Sequence, residues 1–273
     1  MHKEGGVALL DVRDEAAFAA GHASGAANIP LEEFQARAHE LPPKGVPVRI
    51  YDADPRRARA AVEALRDRGY AARKARLAPA DLRRTGPSEV RLWRPSPFLV
   101  EALKRIALLS RRRKKRGRAA DLACGSGREA VYLALSGCAV DAIDILPDAL
   151  ARARALARRA DVRIRTIRKD LEREPVLPVG RYDLVTVFRF LHRPLLAAIG
   201  RSIAPGGFVV YETFNRRDRP RGRRPLKAAH TVRDGELAAA FGGFDVLIAR
   251  DGARRRGRRF SQLLARRPRG TPS

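Results

Sequence analysis

Cysteine is nearly absent from this chain: Cys124 and Cys138 are the only two in 273 residues, alongside a single tryptophan. Two cysteines without metal-ligand spacing point to small core residues in a reducing compartment, not to a disulfide framework or a metal centre. No apolar run approaches the ~20 residues needed to span a membrane, and no N-terminal stretch combines a basic patch, an apolar segment and a cleavage site. These absences predict a cytoplasmic protein with no membrane partner. Lysine is scarce too, supplying 8 of 57 basic residues; with only 30 acidic residues the net charge is +27. Arginine replacing lysine leaves charge unchanged, so codon bias cannot account for the excess.

The excess is localised. Residues 1–82 hold 13 basic and 12 acidic side chains, which leaves 44 basic and 18 acidic in residues 83–273. That asymmetry, and a length with room for two cores, divides the chain into an N-terminal domain at 1–82, a linker at 83–97 rich in proline and arginine, and a domain at 98–267.

The larger domain is organised around residues 118–129, RAADLACGSGRE. An apolar strand leads into two glycines that open a helix, so bare backbone and helix amides face a ligand. Gly125, Gly127 and Ala130 also fit the dinucleotide pattern G-x-G-x-x-G/A, which requires a pyrophosphate at the loop. Asp121 argues against a pyrophosphate, which its carboxylate would repel. It suits a cofactor with an ammonium group and a sulfonium centre, S-adenosylmethionine. The next strand, residues 139–145, ends at Asp144, placed to accept hydrogen bonds from ribose hydroxyls. A third, residues 162–168, ends before Asp170 and Leu171, placed to receive an adenine amino group and to pack its ring.

From about Trp93 to Arg266 the chain resembles a class I Rossmann-like S-adenosylmethionine-dependent methyltransferase, with DLACGSG where that family has D-x-G-x-G-x-G. Ala123 stands for the first glycine. The resemblance implies an α/β fold with a seven-stranded sheet, six strands parallel and one antiparallel. It also implies a cofactor set of Asp121, Ala123, Gly125, Gly127, Asp144, Ile145, Asp170, Leu171 and Phe188. The segment VYETF resembles small-molecule methyltransferases of the tellurite-resistance type.

Further along, strands are expected at 182–188, 208–213, 244–249 and 261–266, and helices at 98–109, 128–136, 148–159, 195–203 and 234–241. Ligands in such sheets bind beyond the carboxyl ends of the strands. His192 and Tyr211 are therefore the candidate catalytic residues. A helix-start role for His192 weighs equally, and of Tyr211 and Glu212 at most one faces the pocket from within a strand. Trp93 is expected to anchor the linker by packing. Two arginine-rich loops, 216–227 and 250–259, should ring the catalytic mouth, and the basic run 111–118 should emerge at the opposite edge.

The N-terminal part resembles a small α/β rhodanese-like domain. Leu10-Asp11-Val12-Arg13, Gly21-His22, Gly25-Ala26 and Asn28-Ile29-Pro30 carry the likeness, over residues 7–76. Where that family has C-x-x-G-x-R, this chain has Asp52-Ala53-Asp54-Pro55-Arg56, without a cysteine. Sulfur transfer needs a thiolate that becomes a persulfide, so the domain is expected to be non-catalytic.

Three functions follow as expectations. The first is methyl transfer to a small anionic or soft nucleophilic molecule. The second is nucleic-acid methylation, favoured by charge but lacking an N-P-P-Y type motif and aromatics within the arginine loops. The third is a pseudoenzyme that binds cofactor and scaffolds a partner.

Overall fold

Two apolar tetrads, Ala8–Asp11 (β1) and Val48–Tyr51 (β3), lie side by side in parallel, with Leu10 opposite Ile50. They are the centre of a four-stranded parallel sheet of order β2-β1-β3-β4, where β2 is Ala26–Asn28 and β4 is Ala72–Lys74. Helices α1 (Glu15–Ala20) and α2 (Pro55–Asp67) complete this part. Leu10, Val48, Ile50 and Leu65 are fully buried in its core, each such side chain worth about 1.5–3 kcal/mol of transfer free energy. The computed structural model describes residues 6–88, 90–109, 117–177, 180–218, 226–255 and 257–269, and the chain divides into units 1–94 and 95–273. This division falls inside the expected linker 83–97, whose Leu92 and Trp93 are buried.

The sequence from Leu31 predicts a helix, but the chain there makes a single 3-10 turn, Leu31–Glu33. Arg37 is the cause. Its buried guanidinium donates to Glu33, Glu40 and the carbonyl of Asn28, so the chain wraps around the charge in place of continuing a helix.

The second unit opens with α3 (Pro97–Leu109), then alternates β5 (Arg118–Leu122), α4 (Arg128–Leu135), β6 (Ala139–Asp144), α5 (Pro147–Arg159), β7 (Arg165–Arg168) and β8 (Tyr182–Phe188). After these come α6 (Arg193–Ser202), β9 (Ile203–Phe214), α7 (Glu236–Ala240), β10 (Asp245–Arg255) and β11 (Arg258–Arg266). Its sheet has the order β10-β11-β9-β8-β5-β6-β7, and β11 alone runs against the rest. This is the Rossmann-like seven-stranded α/β sheet implied by the resemblance. Each face is a core: Phe98, Leu99 and Ala102 of α3 pack on one side, Leu195, Ile199 and Tyr211 on the other.

Three boundaries differ from expectation. Strand β7 starts at Arg165, not Val162, because the Val162 amide closes on the Ala157 carbonyl and Asp161 takes φ 50°, capping α5. Strand β9 begins at Ile203 and runs through Pro205-Gly206-Gly207, where a Cβ on Gly207 would lie 2.8 Å from the Ala204 carbonyl oxygen. The third difference concerns residues 250–259. They form no loop: β10 continues to Arg255 and β11 starts at Arg258, with Arg255 paired opposite Arg258. Of the other basic segments, residues 219–225 and 110–116 lie outside the described residues.

Candidate functional site

The carboxyl edge of β5 turns through residues that few side chains tolerate. Ala123, Gly125 and Gly127 take φ of 52°, 55° and 80°, so the alanine replacing the usual first glycine sits in the left-handed region, where its Cβ is strained. Ahead of Gly125 there is open space: a Cβ built there meets nothing within 4 Å. Gly127 begins α4, whose first amides point into the same space.

Asp121 is 2% exposed. One carboxylate oxygen, Oδ1, accepts from the Thr186 hydroxyl at 2.8 Å, whereas Oδ2 has no hydrogen-bond partner. Burial, then the charge of Glu129, push its pKa well up, against the influence of Thr186 and the nearby Ala130 amide. Glu129 and Asp144 are buried as well. A buried carboxylate oxygen left unpaired among other carboxylates favours a cation, and in a chain of net charge +27 this acidic hollow is a local reversal. Burial, then Asp121, likewise push up the Cys124 thiol, which is therefore an inert core group.

Asp144 accepts from the amides of Gly125 at 2.8 Å and Leu146 at 2.9 Å, which ties the end of β6 to the glycine turn. Each oxygen retains a second lone pair for a ligand hydroxyl. Beside it, Ile145 and Leu146 are 46% and 58% exposed, an apolar shelf at the strand end. Asp170 turns inward on its own loop, its Oδ1 accepting from the Glu172 and Arg173 amides. The Arg173 amide chiefly holds this carboxylate low. Leu171 and Phe188 are buried.

His192 occupies the N-cap position of α6, yet its side chain makes no capping bond. Tyr211 faces the opposite core: it is fully buried, and its hydroxyl donates to the Phe190 carbonyl at 3.1 Å. Burial pushes its phenol far up, so it is neither a ready base nor open to a ligand. Glu212, its neighbour in β9, points to the α3 side, where its carboxylate accepts from Ser96 and Gln262. Sequence reasoning missed Thr186, Ser96 and Glu129 as members of this site. Glu129 left a local trace, an acidic residue in the first turn after the glycines, but Thr186 and Ser96 lie far along the chain.

The expected arginine mouth at 250–259 is largely paired within the protein. Arg250 binds Glu101, Arg255 binds Glu212 at 3.1 Å and Arg258 binds Asp218 at 2.7 Å. In the N-terminal unit, Asp52 stands after β3 at the position of the rhodanese cysteine. Its oxygens accept from the Asp54 amide at 2.9 Å and from Arg57 at 3.0 Å, and Arg57 also binds Glu32. Among the described residues, no helix is long and apolar enough to cross a membrane.

Comparison with known proteins agrees with this geometry. Residues 119–207 match the family described as a methyltransferase domain, and residues 1–77 match the rhodanese-like domain. A ubiquinone biosynthesis O-methyltransferase of Photobacterium profundum is 30% identical over 101 residues, covering 35% of this chain. The chain spans 43% of that relative's length. Among solved structures, TehB from Haemophilus influenzae is similar with TM-score 0.51 at 18% identity, over 62% of each chain. An S-adenosylmethionine-dependent methyltransferase from Clostridium acetobutylicum is similar with TM-score 0.50 at 11% identity, over 64% of this chain and 93% of that one. At these identities the two structures speak to the fold. The chain thus joins a rhodanese-like domain at its N-terminus to a methyltransferase domain with a Rossmann-like sheet.

Proposed function

We propose that the protein is an enzyme that transfers a methyl group from S-adenosylmethionine to a small anionic or soft nucleophilic molecule. The observation that carries the cofactor assignment is Asp121 Oδ2, a buried acceptor without a partner beside an open glycine turn. A cofactor bearing an ammonium group satisfies it, and a pyrophosphate does not. Asp144 would accept from the ribose hydroxyls, Ile145 would pack the adenine, and Asp170 would lie at its polar edge, with Ala123, Gly125 and Gly127 shaping the turn and Leu171 and Phe188 backing it. When bound, the cofactor supplies an electrophilic methyl group on a sulfonium.

The protein's own work is alignment, since an in-line displacement gains most from orientation and a dry cleft. A base is needed only when the acceptor carries a proton at working pH. His192, beyond the carboxyl end of β8 and with a side chain that makes no capping bond, is the residue we assign to that task. Tyr211, committed to the Phe190 carbonyl, is left a packing role. The curated relative's name, an O-methyltransferase of ubiquinone biosynthesis, supports a small-molecule acceptor, as does the commitment of the part-buried Arg255 and Arg258 to Glu212 and Asp218. In the N-terminal domain, Asp52 engages the Asp54 amide and Arg57, groups that an anionic sulfur donor would otherwise use, and we infer a non-catalytic module.

Titration calorimetry of the whole protein with S-adenosylmethionine, its demethylated product and NAD tests the assignment. Binding of the first two is expected; tight NAD binding with neither of the others would overturn it.

A further inference from the structure

The arms of the β10–β11 hairpin outrun the rest of the sheet. The last pair between β11 and β9 is Phe260 with Phe214, yet β10 and β11 stay paired as far as Arg255 and Arg258. Because β11 runs against the parallel strands, this overhang lies on the carboxyl edge, the face that carries the glycine turn. Its tip bears Arg255, whose guanidinium stacks at 5.2 Å from the Phe260 ring centroid and reaches two groups at once. Nη1 donates to the Ser96 hydroxyl at 3.0 Å, and Nη2 pairs with the Glu212 carboxylate at 3.1 Å.

Ser96 connects this tip to the cofactor pocket. Its hydroxyl donates to Glu212 at 3.1 Å, and its amide donates to Glu129 at 3.1 Å. Glu129 is the carboxylate whose charge acts on Asp121. Arg255, Glu212, Ser96 and Glu129 therefore form a continuous path from the hairpin tip to the first turn of α4, directly after the glycine turn. Residue 96 is also where the chain enters α3, so the same contacts fasten the start of that helix to β9 and α4. Glu212 is fully buried, and Arg255 brings it a cation from the strand overhang while its second nitrogen binds the entry segment at Ser96.

We infer that Arg255 is a positioning residue for cofactor binding: by clasping Glu212 and Ser96 it holds residues 95–98 against α4 and so fixes Glu129 in the first turn after the glycines. This rests on the S-adenosylmethionine assignment above. Arg255 acts through Ser96 and Glu212, and its side chain is 27% exposed, so its replacement should leave the sheet folded.

The test is calorimetric titration of S-adenosylhomocysteine into wild type, Arg255→Ala, Arg255→Lys and Ser96→Ala, with hydrogen exchange followed at the amides of Ser96, Phe98 and Leu99 and melting temperature as the control. Arg255→Ala should weaken binding about tenfold or more, the scale of losing hydrogen bonds to a charged group, and speed exchange at Ser96 by more than any fall in melting temperature accounts for. Arg255→Lys should recover part of the affinity, and adding Ser96→Ala to Arg255→Ala should cost little more, because the two act through one contact. Unchanged affinity and exchange in Arg255→Ala, or a loss that follows global destabilisation, overturns the inference. Should wild type itself bind no adenosyl ligand, the cofactor assignment is what fails, and the exchange at Ser96 still decides whether the clasp exists.

Discussion

Gly127 approaches Ala153 so closely that a Cβ built on the glycine would lie 2.5 Å from the Ala153 Cβ and 2.9 Å from its Cα. The glycine turn is thus pinned against α5, and its φ of 80° adds a second reason for the absence of a side chain. Gly127→Ala should destabilise the protein by about 1–3 kcal/mol, because neither the backbone of α5 nor the turn can give way cheaply. Gly125→Ala has the same strain in φ but no clash, so it should cost less in stability while obstructing the ligand. Urea denaturation of the two variants compares the costs; equal losses would show that the contact with α5 is not what matters.

Asp121 makes cofactor binding proton-linked. Its pKa is raised in the folded protein, so its contribution to stability is fully present below the ordinary carboxylate pKa and is lost as pH rises through the raised value. An incoming ammonium group favours the ionised form, so binding should release a proton wherever Asp121 is protonated beforehand. Calorimetry in buffers of different ionisation heat reads this release. Asp121→Asn should abolish it, weaken binding, and make the ligand-free protein more stable than wild type at high pH. Identical proton release in the variant would show that another group is responsible.

Restoring the missing thiol should not restore sulfur transfer. Asp52→Cys removes the partner of Arg57 and of the Asp54 amide, but it leaves Pro55 at the start of α2 and does not supply the glycine of C-x-x-G-x-R. Thiocyanate formation from thiosulfate and cyanide should stay at background in wild type and in the variant. Turnover by the unmodified protein would refute the non-catalytic assignment.

The arginines that follow β9 in the sequence should act by steering. Arg221, Arg223 and Arg224 lie outside the described residues, but their three charges follow the strand that ends at Phe214 on the catalytic edge. Neutralising them together should lower the apparent second-order rate and its salt sensitivity and leave cofactor affinity nearly unchanged, since screening acts over about 10 Å at 0.1 M salt. Incubating cell extract with the protein and methyl-labelled cofactor should label the small-molecule fraction. Label confined to RNA, with affinity falling steeply in salt, would replace the small-molecule assignment with a nucleic-acid one.

Local sequence determined the parallel sheet and the cofactor turn. Near-continuous apolar runs such as Tyr182–Phe188 belong to strands covered on both faces, and Gly125 and Gly127 directly after such a strand permit a backbone that other residues resist. Asp121 and Asp144 were legible for the same reason, because each sits at the end of its own strand. Tertiary structure alone decided the partners. The arginines of 250–259 read as a loop at the catalytic mouth because arginine has no strand signature, yet pairing between β10 and β11 carries Arg250, Arg254 and Arg255 into register and brings Arg255 to Glu212. Tyr211 and Glu212 looked equivalent along the chain until the sheet gave one face to each, burying the phenol against Phe190 and turning the carboxylate toward Ser96. Periodicity reports which residues share a face of one element; which side chains meet across elements depends on register and on strand length, and these are settled by contacts between residues far apart in sequence.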